Sequence, residues 1–524
     1  MNSPPSEDRQ PPPRPTPHAH AANGSNVRFD FTTEVPAASS LGIVHFIAIG
    51  GAGMSGVARV MLAQGLTVSG SDAKESLVLA ALATEGAQVH IGHDVTHLGA
   101  ADTVVISSAI REDNVELREA RARGLRVLHR SQALASVMRG SRRVAVAGAN
   151  GKTTTTSMLV VALQRCGVDP SFAIGGELAK QGTNAHHGTG DIFVAEADES
   201  DGSFLVYRPD VAIVTSVQAD HLDFYGTFAA VQAAYVAFAA TVQPGGLLVA
   251  CADDQGSRAL AEVARAAGSR VVTYGLAPDA DVRVTDLGGA GLHAHAQLIG
   301  AGVGSVATGR LEIGMPGRHN LLNATAAFVA ATEGLGQDPA RVLEGLAGFT
   351  GTRRRFEPKG EVAGVWVVDD YAHNPGKVSA VVETASSLAA PGRLIVVFQP
   401  HLYSRTRDFA AELARALSPA DIVIVMGVYA AREDPIPGVS GALITDRLVL
   451  SHGSHGSHGS DGHQSDTVRF VPSWSDVAPL VAQIAQAGDL VLTVGAGDVT
   501  MIGPEVLRLL GRRPDAATVA AGQR

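Results

Sequence analysis

Short β-branched runs that spill straight into Gly-rich or polar loops, and then into helical periods, recur along this chain from Leu41 onward. The first series is VHFIAI (44–49), SGVARVMLAQG (55–65), LTVSGSD (66–72) and DTVVISSAI (102–110). A second starts at RRVAVAG (142–148) and continues with DIFVAEADES (191–200) and VAIVTSV (211–217). A third comprises VWVVDDYAH (365–373), RLIVVFQPH (393–401), DIVIVMGVY (421–429) and DLVLTVGAGD (489–498). Strand and helix alternating in this way wind a parallel sheet with helices on its faces. The expected fold is therefore α/β in three units: an N-terminal Rossmann-like domain (41–138), a central P-loop domain with a mostly parallel sheet (139–348), and a C-terminal Rossmann-like domain (349–512). Residues 1–40 and 513–524 are expected to be tails. Ligands of such sheets lie beyond the carboxyl ends of the strands, so the chemistry is sought there.

The composition narrows the partners. Net charge is −10, and the Lys and Arg residues are scattered, which argues against a nucleic-acid or anionic-membrane partner. No run of 18 apolar residues occurs, which excludes membrane insertion by a helix. The Pro-rich first ~25 residues lack an apolar h-region and read as a disordered tail, not a signal peptide. Cys166 and Cys251 are too few for a disulfide framework and fit a reducing, cytoplasmic setting. The insert SHGSHGSHGSDGH (451–463) reads as a flexible loop without a catalytic role.

The strongest local motif is RVAVAGANGKTTTTSML, a strand, a Gly-rich turn and a helix that opens at the threonines. Gly148, Ala149, Asn150, Gly151, Lys152, Thr153 and Thr154 form a nucleotide-phosphate cradle in this reading, with Lys152 on the β/γ oxygens and Thr153 on Mg²⁺. The spelling departs from GxxxxGK[ST], since Val146 stands at the first glycine position. Glu196, with Asp198 or Glu199 close behind, ends a neighbouring strand and is a metal-ligand candidate. His221 follows another strand, although an imidazole is a softer ligand than Mg²⁺ prefers.

Near the start, Gly51-Ala52-Gly53-Met54-Ser55-Gly56 is a literal GxGxxG between strand and helix, with Asp72 about 20 residues on. Such a turn lets a diphosphate approach the backbone, and NAD, FAD or a UDP-sugar would all supply one. An NAD-dependent oxidoreductase fused to a P-loop module is thus one possibility, and a regulatory P-loop ATPase another.

Taken in order, HFIAIGGAGMSG, SSAIREDN, GANGKTTTT, VAEADESDGSF, VQADHLDFYGT, MPGRHNLLNATAA, FTGTRRRFE, DDYAHNP, FQPHLYSRTRDF and VYAAREDPIPG resemble the Mur ligase family over residues 41–512. The resemblance implies a cytoplasmic ATP- and Mg²⁺-dependent ligase of cell-wall precursor synthesis. The glycine turn and the VYAAREDPIPG loop favour the members that add L-alanine to UDP-N-acetylmuramate over the paralogue that reattaches a recycled tripeptide. It further implies that Gly51, Gly53, Met54, Ser71, Asp72, Ser108 and Ala109 line a UDP-sugar pocket. His319, Asn320 and Asn323 fall on the adenine side of ATP, and Glu196 and His221 join Thr153 at the metal. Arg355 and Asp370 come from the third domain to phosphate and metal. Tyr371, His373, His401, Arg405 and Arg407 face the muramyl and amino-acid substrates. Lys152, Arg355, Asp370 and His373 are the catalytic candidates. An acyl phosphate would form on the lactyl carboxylate before the amine attacks, and domain closure, hinged near 138–142 and 349–353, would shield it from water. Asn374 stands where the family reads His, which puts a proton-transfer role at that position in doubt.

Overall fold

The computed structural model describes residues 28–300, 309–431, 433–452 and 467–512. Three sheets follow one another along the chain. In the first, five parallel strands run in the spatial order Gln88–Ile91, Val68–Asp72, Val44–Ile47, Thr103–Ile106, Arg126–His129. The order reverses at Val44–Ile47, so the crevice beyond that strand opens at the turn leading into the helix Ala52–Ala63.

The central sheet has ten strands, with Arg142–Ala147 lying between Val211–Val214 and Ile192–Glu196. Its middle is parallel, as all-aliphatic buried strands such as Val211–Val214 require when both faces are covered. Antiparallel pairs close both margins: Val282–Ala290 with His293–Gly300 and Gly309–Ile313 on one side, Ser171–Ala173 with Ala185–His186 on the other. The third sheet has six strands, parallel except for the edge strand Glu357–Val362, which runs antiparallel to Val365–Asp370. Prolyl, glycyl and charged residues in that edge strand suit a position with one unpaired side.

The cores are not confined to single sheets. One apolar cluster joins Met54, Val57 and Leu134 to Ala185, Phe193 and Phe204, and another joins Leu178 and Phe349 to Phe356 and Val378. The chain is thus apolar-welded on either side of the central sheet.

The expectation of a structureless segment up to residue 40 is corrected by residues 28–40. Phe31 and Val35 are buried against the first core, Gln132 Nε2 donates to the Asp30 carbonyl at 3.0 Å, and Arg208 donates to the Thr32 carbonyl. Two aromatic side chains in RFDF supply enough apolar area to order the segment. The expectations for residues 1–27, for the His-rich run from 453 and for 513–524 lie outside the described residues. No described helix is long and apolar enough to cross a membrane.

Candidate functional site

A cavity of about 2210 Å³ lies among the three sheets and is lined by strand-end residues from each of them. At its centre is the turn after Arg142–Ala147. Gly148 has φ +138°, and a Cβ there would fall 2.0 Å from Thr215 Oγ1. Gly151 has φ +82°, and its Cβ would fall 2.4 Å from Asn323 Oδ1. Both glycines are needed for backbone conformation and for close approach. Ala149 N–H donates to the Ser216 carbonyl and Asn150 N–H to Ser216 Oγ, each at 3.1 Å. The loop's rigidity therefore comes from Ser216, and its free donors are the N–H groups at the start of the helix Lys152–Arg165, whose N-cap Gly151 provides no side-chain cap. That helix end, with its positive dipole, suits an anion.

Lys152 Nζ donates to the Gly148 carbonyl at 2.6 Å and to both Glu199 oxygens at 2.8 and 2.9 Å. Burial works against the ammonium, yet the Glu199, Asp198 and Glu196 carboxylates outweigh it and raise the lysine's pKa. Glu199 is likewise opposed by burial and pulled down by Lys152, so the two form a charged buried pair.

Thr153 Oγ1 donates to Glu196 at 3.0 Å, and Glu196 also accepts the Gly175 N–H at 2.8 Å. His221 Nε2 is 3.6 Å from Glu199, and the residue sits at φ +54°, a conformation a non-glycine residue holds only when its surroundings enforce it. Among the described residues no group of three His, Cys, Asp or Glu is arranged to hold a metal by itself. Mg²⁺ takes one or two protein oxygens and completes its shell with phosphate and water. Thr153 and Glu196 could supply those oxygens. His221 approaches them only through Glu199.

From the third sheet, Arg355 Nη2 donates to Thr153 Oγ1 at 3.3 Å, and its Cζ lies 5.1 Å from the Tyr371 ring centroid. Asp370 accepts the Phe356 and Ala372 N–H groups at 2.8 and 2.7 Å, which ties the Arg355 loop to the strand end. Burial raises its pKa, against the pull of Arg355. His373 Nδ1 donates to the Tyr371 carbonyl at 2.9 Å, leaving Nε2 as an acceptor toward the cavity side. Burial, then Lys377 and Arg405, push its pKa well below the usual range, so it is neutral. The His401 ring meets it edge-on, with centroids 5.3 Å apart. Arg405 lines the same region, whereas Arg407 on the rim is paired to Asp408 at 2.7 Å.

On the opposite wall, His319, Asn320 and Asn323 rise from the start of the helix Arg318–Val329, beside Cys251, Asp253 and Tyr274. Asn320 Nδ2 holds the Pro316 carbonyl at 2.7 Å, and burial lowers the His319 pKa to about 4.

Toward the first sheet, Gly51, Gly53, Met54, Ser108 and Ala109 reach the cavity wall. Ser71 and Asp72 do not, which corrects their expected place. Ser71 is fully buried and donates to Glu116 at 2.6 Å, and Asp72 accepts the Gly50 N–H at 2.9 Å. Asp72 thus fixes the glycine turn from behind, while the Ser71 hydroxyl is held by Glu116 and His93.

Several wall residues escaped sequence reasoning: Arg130, whose guanidinium pairs with Asp198 at 2.6 Å, Asp220, and Lys377. Lys377 follows Asn374-Pro375, and Asn374 caps its helix by accepting the Lys377 N–H at 2.9 Å. Asn-Pro is a recognisable helix start, so a lysine in the first turn beside a motif-bearing strand end was a readable signal.

Three family models match in sequence: Mur ligase family, catalytic domain, at residues 43–142; Mur ligase middle domain at 146–331; and Mur ligase, glutamate ligase domain, at 354–497. A UDP-N-acetylmuramate–L-alanine ligase of Kineococcus radiotolerans is 55% identical over 483 residues, covering 91% of this chain and 98% of that one. One of the same name from a Mycobacterium species is 49% identical, covering 93% and 99%. Among solved structures, the UDP-N-acetylmuramate-alanine ligase of Thermotoga maritima aligns with TM-score 0.73 at 27% identity, covering 89% of this chain and 98% of that one. A murein peptide ligase of Psychrobacter arcticus aligns with TM-score 0.65 at 25% identity, covering 90% and 99%.

Proposed function

The chain belongs to the Mur ligase family, and we propose that it joins L-alanine to the lactyl carboxylate of UDP-N-acetylmuramate, driven by ATP, in the synthesis of peptidoglycan precursors. Both nucleotide substrates are cytoplasmic, and so is the reaction. In this reading the first sheet receives the UDP moiety at Gly51, Gly53, Met54, Ser108 and Ala109, the central turn receives ATP, and the third domain brings the amino acid.

The observation that carries the reading is the Arg355–Thr153 contact at 3.3 Å, which joins a third-domain cation to the phosphate turn. A carboxylate and a γ-phosphate repel each other, and the phosphoryl group crosses between them only where positive charge is already in place. Lys152 and Arg355 flank that point, with Lys377 on the same wall. Mg²⁺, held by Thr153 and Glu196, would supply further charge neutralisation on the phosphates. ATP's γ-phosphoryl passes to the lactyl carboxylate, giving ADP and an acyl phosphate. The neutral amine of L-alanine then attacks the acyl carbon and phosphate leaves. His373 Nε2, an acceptor in a neutral ring, is positioned to take the amine's proton; Asp370 serves by holding the Arg355 loop. Asn374 bonds Asp220 and caps a helix, a positioning role that needs no titrating group.

The relatives favour L-alanine over the tripeptide as acceptor, since the ligases named for L-alanine share about half their residues with this chain and the murein peptide ligase a quarter. The test is phosphate release from ATP and Mg²⁺ with UDP-N-acetylmuramate, comparing L-alanine, D-glutamate, meso-diaminopimelate and the tripeptide. Stimulation by L-alanine alone, lost in Lys152→Ala, is expected. Stimulation by the tripeptide, or release that ignores the UDP-sugar, overturns the reading.

A further inference from the structure

We infer that Asp220 is a specificity residue for the amino-acid substrate, receiving its ammonium group while Arg405 takes its carboxylate. The inference rests on the proposed ligase reading and deepens it.

Asp220 belongs to the central domain, at the end of the loop after Val211–Val214, and Arg405 to the first turn of the third-domain helix Tyr403–Leu417. Both line the cavity next to His373 and His401. Their side chains are four-fifths or more buried, with Arg405 Nη2 3.7 Å from Asp220 Oδ1. That separation is an ion pair without a hydrogen bond. Among the described residues Arg405 makes no other ion pair, so a largely desolvated guanidinium faces the cavity with its donors unspent. A guanidinium in that state is matched by a planar carboxylate that can accept two parallel N–H bonds.

Asp220 is also underused. Oδ1 accepts the His221 N–H at 2.9 Å and Oδ2 accepts Asn374 Nδ2 at 3.2 Å, while an ionised carboxylate offers about four acceptor directions. The charged groups facing it are His221 from its own loop, at 3.9 Å, and Arg405 and Lys377 from the third domain.

An α-amino acid carries opposite charges on neighbouring groups. Inserted between Asp220 and Arg405, it replaces one loose ion pair by two hydrogen-bonded ones. It thereby gains from both partners without leaving either charge unpaired, which is the condition for a buried ion pair to be favourable. An amine without a carboxylate satisfies only Asp220 and leaves Arg405 stranded, so the pair also discriminates.

The test is steady-state kinetics of full-length Asp220→Asn and Arg405→Gln with L-alanine and L-alaninamide at pH 7 and pH 9. The wild type is expected to prefer L-alanine strongly. Asp220→Asn should raise the KM for L-alanine at least tenfold at pH 7 and much less at pH 9, where more of the amine is uncharged, with KM for ATP and for the UDP-sugar within twofold of wild type. Arg405→Gln should abolish the preference for L-alanine over its amide. Unchanged KM for L-alanine in Asp220→Asn, an equal rise at both pH values, or an equal rise for ATP overturns the inference. If Asp220→Asn is not recovered folded, an amide preference retained in Arg405→Gln overturns it independently. Wild-type enzyme that ignores L-alanine altogether would instead remove the ligase reading.

Discussion

Glu199→Gln isolates what the Glu199 carboxylate does for Lys152. The ammonium of Lys152 and the carboxylate of Glu199 are 2.8 Å apart, with side-chain exposures of only 14% and 3%. At an effective dielectric constant of about 20 the gross attraction is on the order of 5 kcal/mol. Removing one member of a buried pair strands the other charge, at a cost of about 3 to 5 kcal/mol. The amide keeps the shape, so packing is nearly unchanged and the loss is electrostatic. For a domain of this size each kcal/mol moves Tm by about 2 to 4 °C, so the unliganded variant should melt roughly 6 to 20 °C below wild type.

Saturating ATP should behave differently. The phosphates give Lys152 a new anionic partner, so the stranded charge is compensated and the nucleotide-induced rise in Tm should be larger in Glu199→Gln than in wild type by several degrees. Differential scanning fluorimetry with and without ATP measures both numbers. Equal melting of the two unliganded proteins would mean that the pair contributes nothing net. A deficit that persists unchanged at saturating ATP would show that Lys152 does not turn to the phosphates, and the reasoning about the cradle would fall.

Arg355→Ala should lower kcat between about a hundredfold and a thousandfold, with a smaller change in the KM for ATP, because its charge is needed where negative charge concentrates during transfer; rapid-quench phosphate release measures it. Gly151→Ala should cost about 1 to 2 kcal/mol of stability for the left-handed backbone and displace Asn323, raising the dissociation constant of ATP in calorimetry, whereas Asn323→Ala in the same background should relieve the clash and recover part of the stability without recovering ATP affinity. Lys377 has its pKa lowered to about 8, first by burial and then by Lys152 and Arg355, so near pH 8.5 much of it is neutral until anionic phosphates arrive. ATP binding at that pH should therefore take up protons, detected as a dependence of the calorimetric heat on buffer ionisation enthalpy that vanishes in Lys377→Met. His45 is fully buried and its pKa is lowered to about 4, mainly by burial, so the folded state resists a proton that the unfolded chain accepts from pH 6.5 downward. Stability should fall as pH drops from 6.5, by about 2 kcal/mol at pH 5, and His45→Gln should lose that part of the slope in urea titrations.

What could be read from the chain beforehand was whatever one segment decides for itself. The Gly148–Lys152 turn is a local conformation with a local purpose, and it sits where the alternation of strands and helices put it. The three parallel sheets followed from the same alternation. The misplacement of Ser71 and Asp72 has the opposite origin. Strand-end residues point either into the crevice or back onto the turn, and which applies depends on what stands opposite; here it is the Gly50 amide and Glu116, the latter 45 residues from Ser71. Residues 30–35 looked like part of a tail because Gln132, Arg208 and Arg139, which bond the carbonyls of Asp30, Thr32 and Val35, lie about 100 to 180 residues away in sequence. Asp220 carried no motif of its own beyond its neighbour His221. Its meaning arises only once Asn374 and Arg405 are brought against it from the third domain.

That dependence bears on how the enzyme opens. The apolar clusters that bridge the sheets bring Met54, Val57, Leu134 and Phe356 to the cavity wall, and the other contacts between domains there are polar: Arg130 with Asp198, Arg355 with Thr153, and Asn374 and Arg405 with Asp220. Each polar contact joins groups that a substrate of the proposed reaction can satisfy equally well, a diphosphate or carboxylate for the arginines and an ammonium for the aspartates. With side-chain exposures of 16 to 35%, these ion pairs offset desolvation only while both charges stay partnered, so exchange for ligand groups that keep each charge paired is close to neutral. The apolar contacts have no such replacement and hold the domains in register. Motion is therefore expected where the domains meet through polar pairs, and those ion pairs stand where the substrates of the proposed reaction would bind.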